Sequence, residues 1–413
     1  MTTQHSKDKV KRGKRILMVL DGFYPFDIRV EKEAASLISA GFEVTVVCYR
    51  NKGQSKEEEH KGIKIVRTDR IIGVPQKGIA DIVRSAFGIN YLLAPLVKLQ
   101  VGEADALHAH DLPVFKTAFS IGKKHGLPVV LDLHENFPEG ILTWFTWRKE
   151  PLVRLKNRLF FNYKSWLAKE KYAVEKADRI IAVVDEMRER VIRLHGVAAE
   201  KFVIVSNTEP KDLYDSHQLP TSAVQTKNIV YVGSIGPHRG LDTAIEAMPA
   251  ILGHDPKVRL IIVGSGNPDT IAHLKNLANN FGVSSQVEFT GQLPYEEALQ
   301  RMVGAFLNII PHHSNGQNES TIPHKLFQIF LSGYPMMVSS CAPLKRIVGD
   351  NGAGVVFEAG NPHDFSEKVM GALENRDALK EMTKKGKELV AEGGYDWASD
   401  ADRLVNMYHK LAH

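Results

Sequence analysis

The sequence predicts two doubly wound α/β domains, each a parallel sheet covered by helices, facing one another across a cleft. Three observations lead there. Short apolar, β-branched runs alternate with helix-period segments almost from end to end, the pattern of strands buried on both faces by their crossover helices. These runs fall into two successive series. The length, 413 residues, exceeds what a single core ordinarily serves.

In the first series, strands are expected at Ile16–Leu20, Val44–Tyr49, Ile63–Arg67, Ala106–His108, Val129–Leu131, Ile180–Val184 and Val203–Val205. In the second they are expected at Ile229–Val232, Arg259–Val263, Val287–Thr290, Leu307–Ile310, Met336–Ser339 and Gly354–Phe357. Helical periods lie between most of them, as at Arg29–Ala40, Leu241–Ile251 and Pro323–Leu331. The reading divides the chain into a first domain (1–210), a polar linker (211–227) that contains Pro220 and lacks periodicity, a second domain (228–390) and a closing helical segment (391–413).

Composition is that of a soluble globular protein with a net charge of +5. The opening M-T-T-Q-H-S-K-D-K-V-K-R-G-K-R is basic but lacks the apolar run of a secretory signal. No stretch reaches the ~18 apolar residues of a membrane span. Cys48 and Cys341 each fall in or beside a strand and read as reduced core thiols. Together these features indicate a cytoplasmic protein. Residues 141–171 interleave Trp144, Phe145, Trp147, Phe160, Phe161, Tyr163 and Trp166 with Arg and Lys. Such a mixture suits peripheral contact with anionic lipid on the inner face of a membrane. It equally suits two packed helices with their basic residues on the wet side. No nucleic-acid-binding motif accompanies it, so no nucleic-acid partner is expected.

The segment N-E-S-T-I-P-H-K-L-F-Q-I-F-L-S-G-Y-P, Asn318 to Pro335, reads as a polar loop opening a short buried helix, then Gly-x-Pro entering a strand. Free N–H groups and the positive end of the helix dipole make such a start an anion site. Without an anion, the same segment is an ordinary capped core helix. Other polar loops leave the carboxyl ends of expected strands, where open α/β sheets bind ligands. After the first strand, Gly22 permits a tight turn, Asp27 is a helix N-cap and Arg29 follows on the helix. His108-Ala109-His110-Asp111 and His134-Glu135 follow two further strands. Two histidines and an acid hint at a metal, but the further ligands that zinc requires are lacking, and no metal is expected. In the second domain, Gly233, Ser234 and Arg239 follow one strand, Gly264 and Gly266 the next, and Gln292 and Leu293 the one after. Small residues admit a diphosphate, and Arg239 neutralises it through its forked guanidinium. Asp400-Ala401-Asp402, in the closing helix, reads as a chance pair of acids.

Taken together, these segments resemble the family-4 glycosyltransferases, whose two Rossmann-like domains form the GT-B fold. Many members read P-x-K-L-x-E-x-x-x-x-G-x-P where this chain has Pro323, Lys325, Leu326, Gln328, Gly333 and Pro335. The family's two glutamates, eight positions apart, are replaced by Ser320 and Gln328. The first-domain loop is similar to the family's P-x-D-x-R-V-x-x-E. The family also places an Arg where Ser234 stands and a Lys where Arg239 stands. The resemblance implies transfer of a sugar from a nucleotide diphosphate donor, with retention of anomeric configuration and no other cofactor, to a glycan or lipid-linked acceptor. It implies donor contacts from Gly22, Gly233, Ser234, Arg239, Gly264, Gly266, Gln292, Leu293, Ser320, Thr321, Ile322, Lys325 and Gln328. Glu319 would stand in for the missing first acid. His134 would lie beside the donor sugar as a catalytic residue. Acceptor contacts would come from Asp27, Arg29, His110 and Glu135. In catalysis, Arg239 and the N–H groups near Ser320 to Ile322 would stabilise the leaving diphosphate, which itself takes the acceptor's proton. The losses at Ser320, Gln328 and Ser234 leave open a non-catalytic partner of another transferase. A nucleotide-sugar epimerase is the third reading and predicts donor turnover without acceptor.

Overall fold

A computed structural model describes residues 13–145, 151–214 and 227–411. The expected linker therefore lies mostly outside the described residues. The first sheet contains β1 (Arg15–Phe23), β2 (Glu43–Arg50), β3 (Glu57–His60), β4 (Ile63–Ile71), β5 (Ala106–His110), β6 (Val129–Leu133), β7 (Arg179–Ala182) and β8 (Phe202–Ile204). Its order is β3-β4-β2-β1-β5-β6-β7-β8, parallel except for the β3–β4 pair. The second sheet contains β9 (Asn228–Val232), β10 (Arg259–Val263), β11 (Val287–Gly291), β12 (Leu307–Ile310), β13 (Met336–Ser339) and β14 (Val355–Phe357), ordered β11-β10-β9-β12-β13-β14 and wholly parallel.

Each expected strand is present. The unexpected one is β3, Glu-Glu-Glu-His, an exposed antiparallel edge with no apolar signal to announce it. β5 and β6 run two residues further than their apolar runs. His110 and Asp132 sit side by side in register at those ends, His110 Nδ1 3.4 Å from Asp132 Oδ2, and the backbone stays paired in the sheet. β1 likewise continues through Gly22 to Phe23. Gly22 is thus a strand residue outside the left-handed region, not the tight turn expected of it.

Both sheets are covered on two faces by apolar clusters, which buries the continuous Val/Ile/Leu runs. One first-domain cluster continues into Ile322, Leu326 and Phe327 at the start of the His324–Ser332 helix. The strand order reverses between β1 and β5 in one sheet and between β9 and β12 in the other. Crossover loops diverge at such switch points and leave a crevice.

The Trp397–Leu411 helix packs on β8 and on the Ile28–Ser39 helix. Trp397 Nε1 donates to Ser36 Oγ at 3.0 Å, and Tyr408 hydrogen-bonds His108 Nδ1 at 2.8 Å. Asp400 accepts from Ser206 N at 2.9 Å and also from Thr208 Oγ1. This acid clamps the chain leaving β8 and so has a structural task. Cys48 and Cys341 are buried free thiols.

Candidate functional site

The two switch points open into one cavity of about 560 Å³. His134, Glu135 and Asn207 line it from the first domain; Gly233, Arg239, His312, Thr321, Ile322, Lys325 and Gln328 are among those lining it from the second. The halves are tied across it. Asn136 Nδ2 donates to Gly316 O and Ser320 Oγ, both at 2.9 Å, and Gln317 Nε2 donates to Glu135 Oε2 at 3.0 Å.

The second-domain wall is cationic. Gly233 follows β9 with φ +143°, and a Cβ there would stand 2.8 Å from Lys325 Nζ. Glycine is therefore what lets the lysine lie across the loop, its ammonium 3.8 Å from the Tyr231 ring centroid. That ammonium is buried and has no hydrogen-bond partner among the described residues. Burial, then the charge of Arg239, holds the Lys325 pKa well below the usual lysine range. Arg239 Nη1 donates to His312 Nε2 at 3.1 Å, and Nη2 donates to Ser234 Oγ at 3.3 Å. Burial and the same two cations depress the His312 pKa strongly, so its imidazole is neutral and accepts from the guanidinium. His238 is pushed down to about 4 by burial and Arg239. Neither Arg239 nor Lys325 makes an ion pair among the described residues. A guanidinium and a lysine amine that an arriving anion would protonate, neither with a counter-ion among the described residues, converge at the start of a helix, a setting that suits an anion.

The opening of this helix departs from expectation. It begins at His324, with Pro323 as N-cap. The Ser320 amide is already spent on Gln317 O at 3.2 Å. Ser320 is buried, donating its hydroxyl to Gly316 O at 2.6 Å, and does not line the cavity. Glu319 does not replace the missing acid. Its carboxylate accepts from Ser314 Oγ at 2.6 Å and Ala342 N at 2.8 Å, at the start of another helix. Thr321 lines the cavity but donates to Gln317 O at 2.8 Å. Gly264 and Gly266 serve loop packing, since Cβ atoms there would meet Gly233 O and Ile235 O at 1.9 and 2.0 Å. Gln292 and Leu293 follow β11, two strand positions from β9, and lie outside the cavity. Gly22 lies outside it as well.

On the first-domain wall, Asp111 adopts φ +68°, unusual for a residue with a Cβ. The turn aims its carboxylate at His134, accepting from the backbone N at 2.9 Å and standing 3.4 Å from Nδ1. His134 Nε2 lies 2.6 Å from Asp132 Oδ2. Burial opposes charge on this imidazole, but Asp111 and Asp132 outweigh it and push its pKa up to about 10. His134 is thus a fixed imidazolium with both nitrogens engaged. It is a cation at the cleft, not a free base. Glu135 is pushed up to about 7 by burial and then by Asp111.

Three acceptor assignments need correction. Arg29 is buried against Asp132 (2.9 Å) and Glu33 (3.0 Å) and donates to Val205 O at 3.0 Å and Asn207 Oδ1 at 3.2 Å. It fastens the chain leaving β8 and cannot reach an acceptor. His110 is buried beneath His134, with the two ring nitrogens 3.2 Å apart. Asp27 caps its helix, accepting from Arg29 N and Val30 N at 3.1 and 3.2 Å. The ligand-type groups of Glu33, His108, His110 and Asp132 lie within 4.8 Å of one another. Within it the Arg29 guanidinium pairs with both acids.

The aromatic segment is also redistributed. Trp166 and Phe161 are core residues, and Tyr163 donates to Glu139 Oε1 at 2.8 Å. Trp147 lies outside the described residues. The sequence reading passed over Asn207 and Glu209. The polar tract Ser206-Asn207-Thr208-Glu209 directly after a strand was the available signal.

Two family models match the chain in succession. "Glycosyltransferase Family 4" matches residues 28–208 and "Glycosyl transferases group 1" matches 216–389. The D-inositol 3-phosphate glycosyltransferase of Nocardia farcinica is 26% identical over 343 residues, covering 74% of this chain and 73% of that protein. Sucrose-phosphate synthase from Thermosynechococcus elongatus superposes with TM-score 0.75 at 15% identity, over 96% of this chain and 99% of that one. Anabaena HepE, solved in complex with UDP-glucose, gives TM-score 0.69 at 13% identity, over 96% and 99%. With both halves matched in order and the two-sheet architecture shared throughout, this chain belongs to the group 1 and family 4 glycosyltransferases of the GT-B fold.

Proposed function

We propose that the chain moves a sugar from a nucleoside diphosphate donor to a glycan or lipid-linked acceptor, with retention of configuration, in the assembly of a bacterial surface polysaccharide. The observation that carries this is the convergence of Arg239 and Lys325, neither with a counter-ion among the described residues, at the head of the His324–Ser332 helix. As the bond from the anomeric carbon to the diphosphate oxygen breaks, negative charge grows on that oxygen. Cations already in place stabilise the transition state more than the ground state and so lower the barrier. The departing oxygen accepts the proton of the acceptor hydroxyl, so no dedicated base is needed. This fits an imidazolium at His134, which can contribute charge but not accept a proton. Glu135, whose pKa burial and then Asp111 raise to about 7, would hold an acceptor hydroxyl from the facing wall.

Contact with anionic membrane is part of the same proposal. No helix among the described residues is long and apolar enough to cross a membrane. Leu142, Leu155 and Leu159 are exposed on neighbouring first-domain helices, beside exposed Arg158. These side chains, more than the buried aromatics, would meet a lipid surface.

The non-catalytic alternative draws on Glu319 and Ser320, which leave no acid at the first family position. One experiment separates the readings. A thermal-shift panel of nucleotide-sugars on purified protein is followed by slow donor hydrolysis. Hydrolysis lost in Arg239→Ala supports the enzyme, and binding without any turnover, restored only by a second chain, supports the partner. The anomeric configuration of the transferred sugar, read by NMR, decides retention.

A further inference from the structure

The helices Val74–Phe87, Leu112–Gly122 and Tyr163–Lys176 enclose a second cavity of about 300 Å³ in the first domain. Phe87, Leu112, Phe115, Trp166 and Tyr172 make it largely apolar. Two ammonium groups also line it. Lys116 Nζ donates to Phe87 O at 2.9 Å. Lys169 Nζ donates to Ser165 Oγ at 2.6 Å and lies 4.9 Å from the Trp166 ring centroid. Neither lysine makes an ion pair among the described residues. Burial, and then the charge of Lys116, lowers the Lys169 pKa, so the two ammoniums feel one another. An anion between them would relieve that repulsion, while the aromatic walls favour an apolar body.

We propose that this cavity binds a single-chain lipid phosphate, with the first part of the tail among the aromatic rings and the phosphate between Lys116 and Lys169. Its volume is at the low end of the ~300–1,000 Å³ typical of small-molecule pockets, enough for part of a tail only. The remainder would leave past Phe87, whose ring is 69% exposed at the rim. Leu112 directly follows Asp111, the residue that holds His134, and the lining residue Arg84 pairs with Asp21 near the carboxyl end of β1. The cavity therefore shares the carboxyl-end side of the sheet with the cleft. Its use as the seat of the acceptor's carrier rests on the transferase reading above; binding itself does not.

The test is calorimetry of the full chain with decyl phosphate below its micelle concentration, alongside decanol, inorganic phosphate and UDP. Decyl phosphate should bind at least about tenfold more tightly than decanol, as a charge-assisted contact predicts, and inorganic phosphate should not bind this cavity. Ala168→Trp, at an exposed lining position, should abolish decyl phosphate binding and leave UDP binding intact. Lys169→Gln should weaken it about tenfold and keeps the test open should the tryptophan variant fold poorly. Equal binding of decanol and decyl phosphate, or decyl phosphate binding unchanged in both variants, overturns the proposal. Failure of UDP and every other nucleotide-sugar to bind would count against the donor site alone, because the decyl phosphate response to Ala168→Trp is scored independently.

Discussion

Gln328 donates its side-chain Nε2 to the buried carboxylate of Glu209 at 3.0 Å. Glu209 comes from the chain that follows β8, and Gln328 from the helix at the head of the cleft. Beside a carboxylate the amide must present its nitrogen, so its oxygen is left to face the cavity as an acceptor. Glu209 is itself held by Lys32 Nζ at 2.9 Å and stands 3.4 Å from His324 Nδ1. A fixed acceptor at Gln328 could take a ribose hydroxyl where the family uses glutamate.

Removing the orienting acid should therefore weaken nucleotide binding through the ribose. Glu209→Gln is expected to lower UDP affinity by about three- to tenfold, a neutral hydrogen bond's worth, while the affinity for 2′,3′-dideoxy-UDP stays as it was. Gln328→Glu alone sets a second carboxylate against Glu209 and should lower the melting temperature. Combined with Glu209→Gln, it should recover. A melting temperature insensitive to the pairing would remove Glu209 from this role.

Lys325 offers a second measurement. Its ammonium is disfavoured in the empty site by burial and by Arg239, so an arriving diphosphate should raise its pKa and draw a proton from solution. Calorimetry of UDP binding in buffers of different ionisation enthalpy should show proton uptake. Lys325→Met keeps the packing over Tyr231. It should abolish the uptake and cost about tenfold or more in affinity.

The architecture was legible because buried parallel strands write themselves as continuous apolar runs, and both sheets fall where such runs occur. The cationic wall was partly legible, since Arg239 and Lys325 follow strand ends or open a helix. Burial was not legible. Arg29, His110 and Ser320 are polar residues in polar loops, and only the tertiary arrangement shows their partners to be inside the protein. Glu319 shows the same limit from another side, because one residue's shift along a turn points a carboxylate at Ala342 N and away from the cleft. β3 was missed because its pairing with β4 rests on backbone hydrogen bonds at an edge, with no buried side of its own.

Glu135 should mark stability with pH. Its pKa in the folded protein, about 7, lies above the ~4.3 of an unfolded glutamate, so the native state binds the extra proton between those values. Its contribution is thus most favourable at low pH and is lost as pH rises through about 7. Glu135→Gln should flatten the fall in unfolding free energy between these limits by on the order of 1–3 kcal/mol. Urea titrations at several pH values read this directly, and an unchanged slope would show that Glu135 ionises freely.

Arg29 distinguishes a structural role from an acceptor role. Its guanidinium serves Asp132, Glu33 and the backbone after β8, all out of water. Burial and the neighbouring Asp132 carboxylate push Glu33 up, while Arg29 and His134 hold Asp132 well below the usual range despite its burial. Arg29→Met removes the cation that Asp132 and Glu33 share, with a cost of about 3–5 kcal/mol expected for breaking a buried pair. The loss should appear in chemical denaturation and should be smaller at low pH, where the acids are neutralised. A residue that bound acceptor would behave differently, raising the acceptor KM at full stability. Wild-type stability with a raised acceptor KM would therefore return Arg29 to the acceptor site.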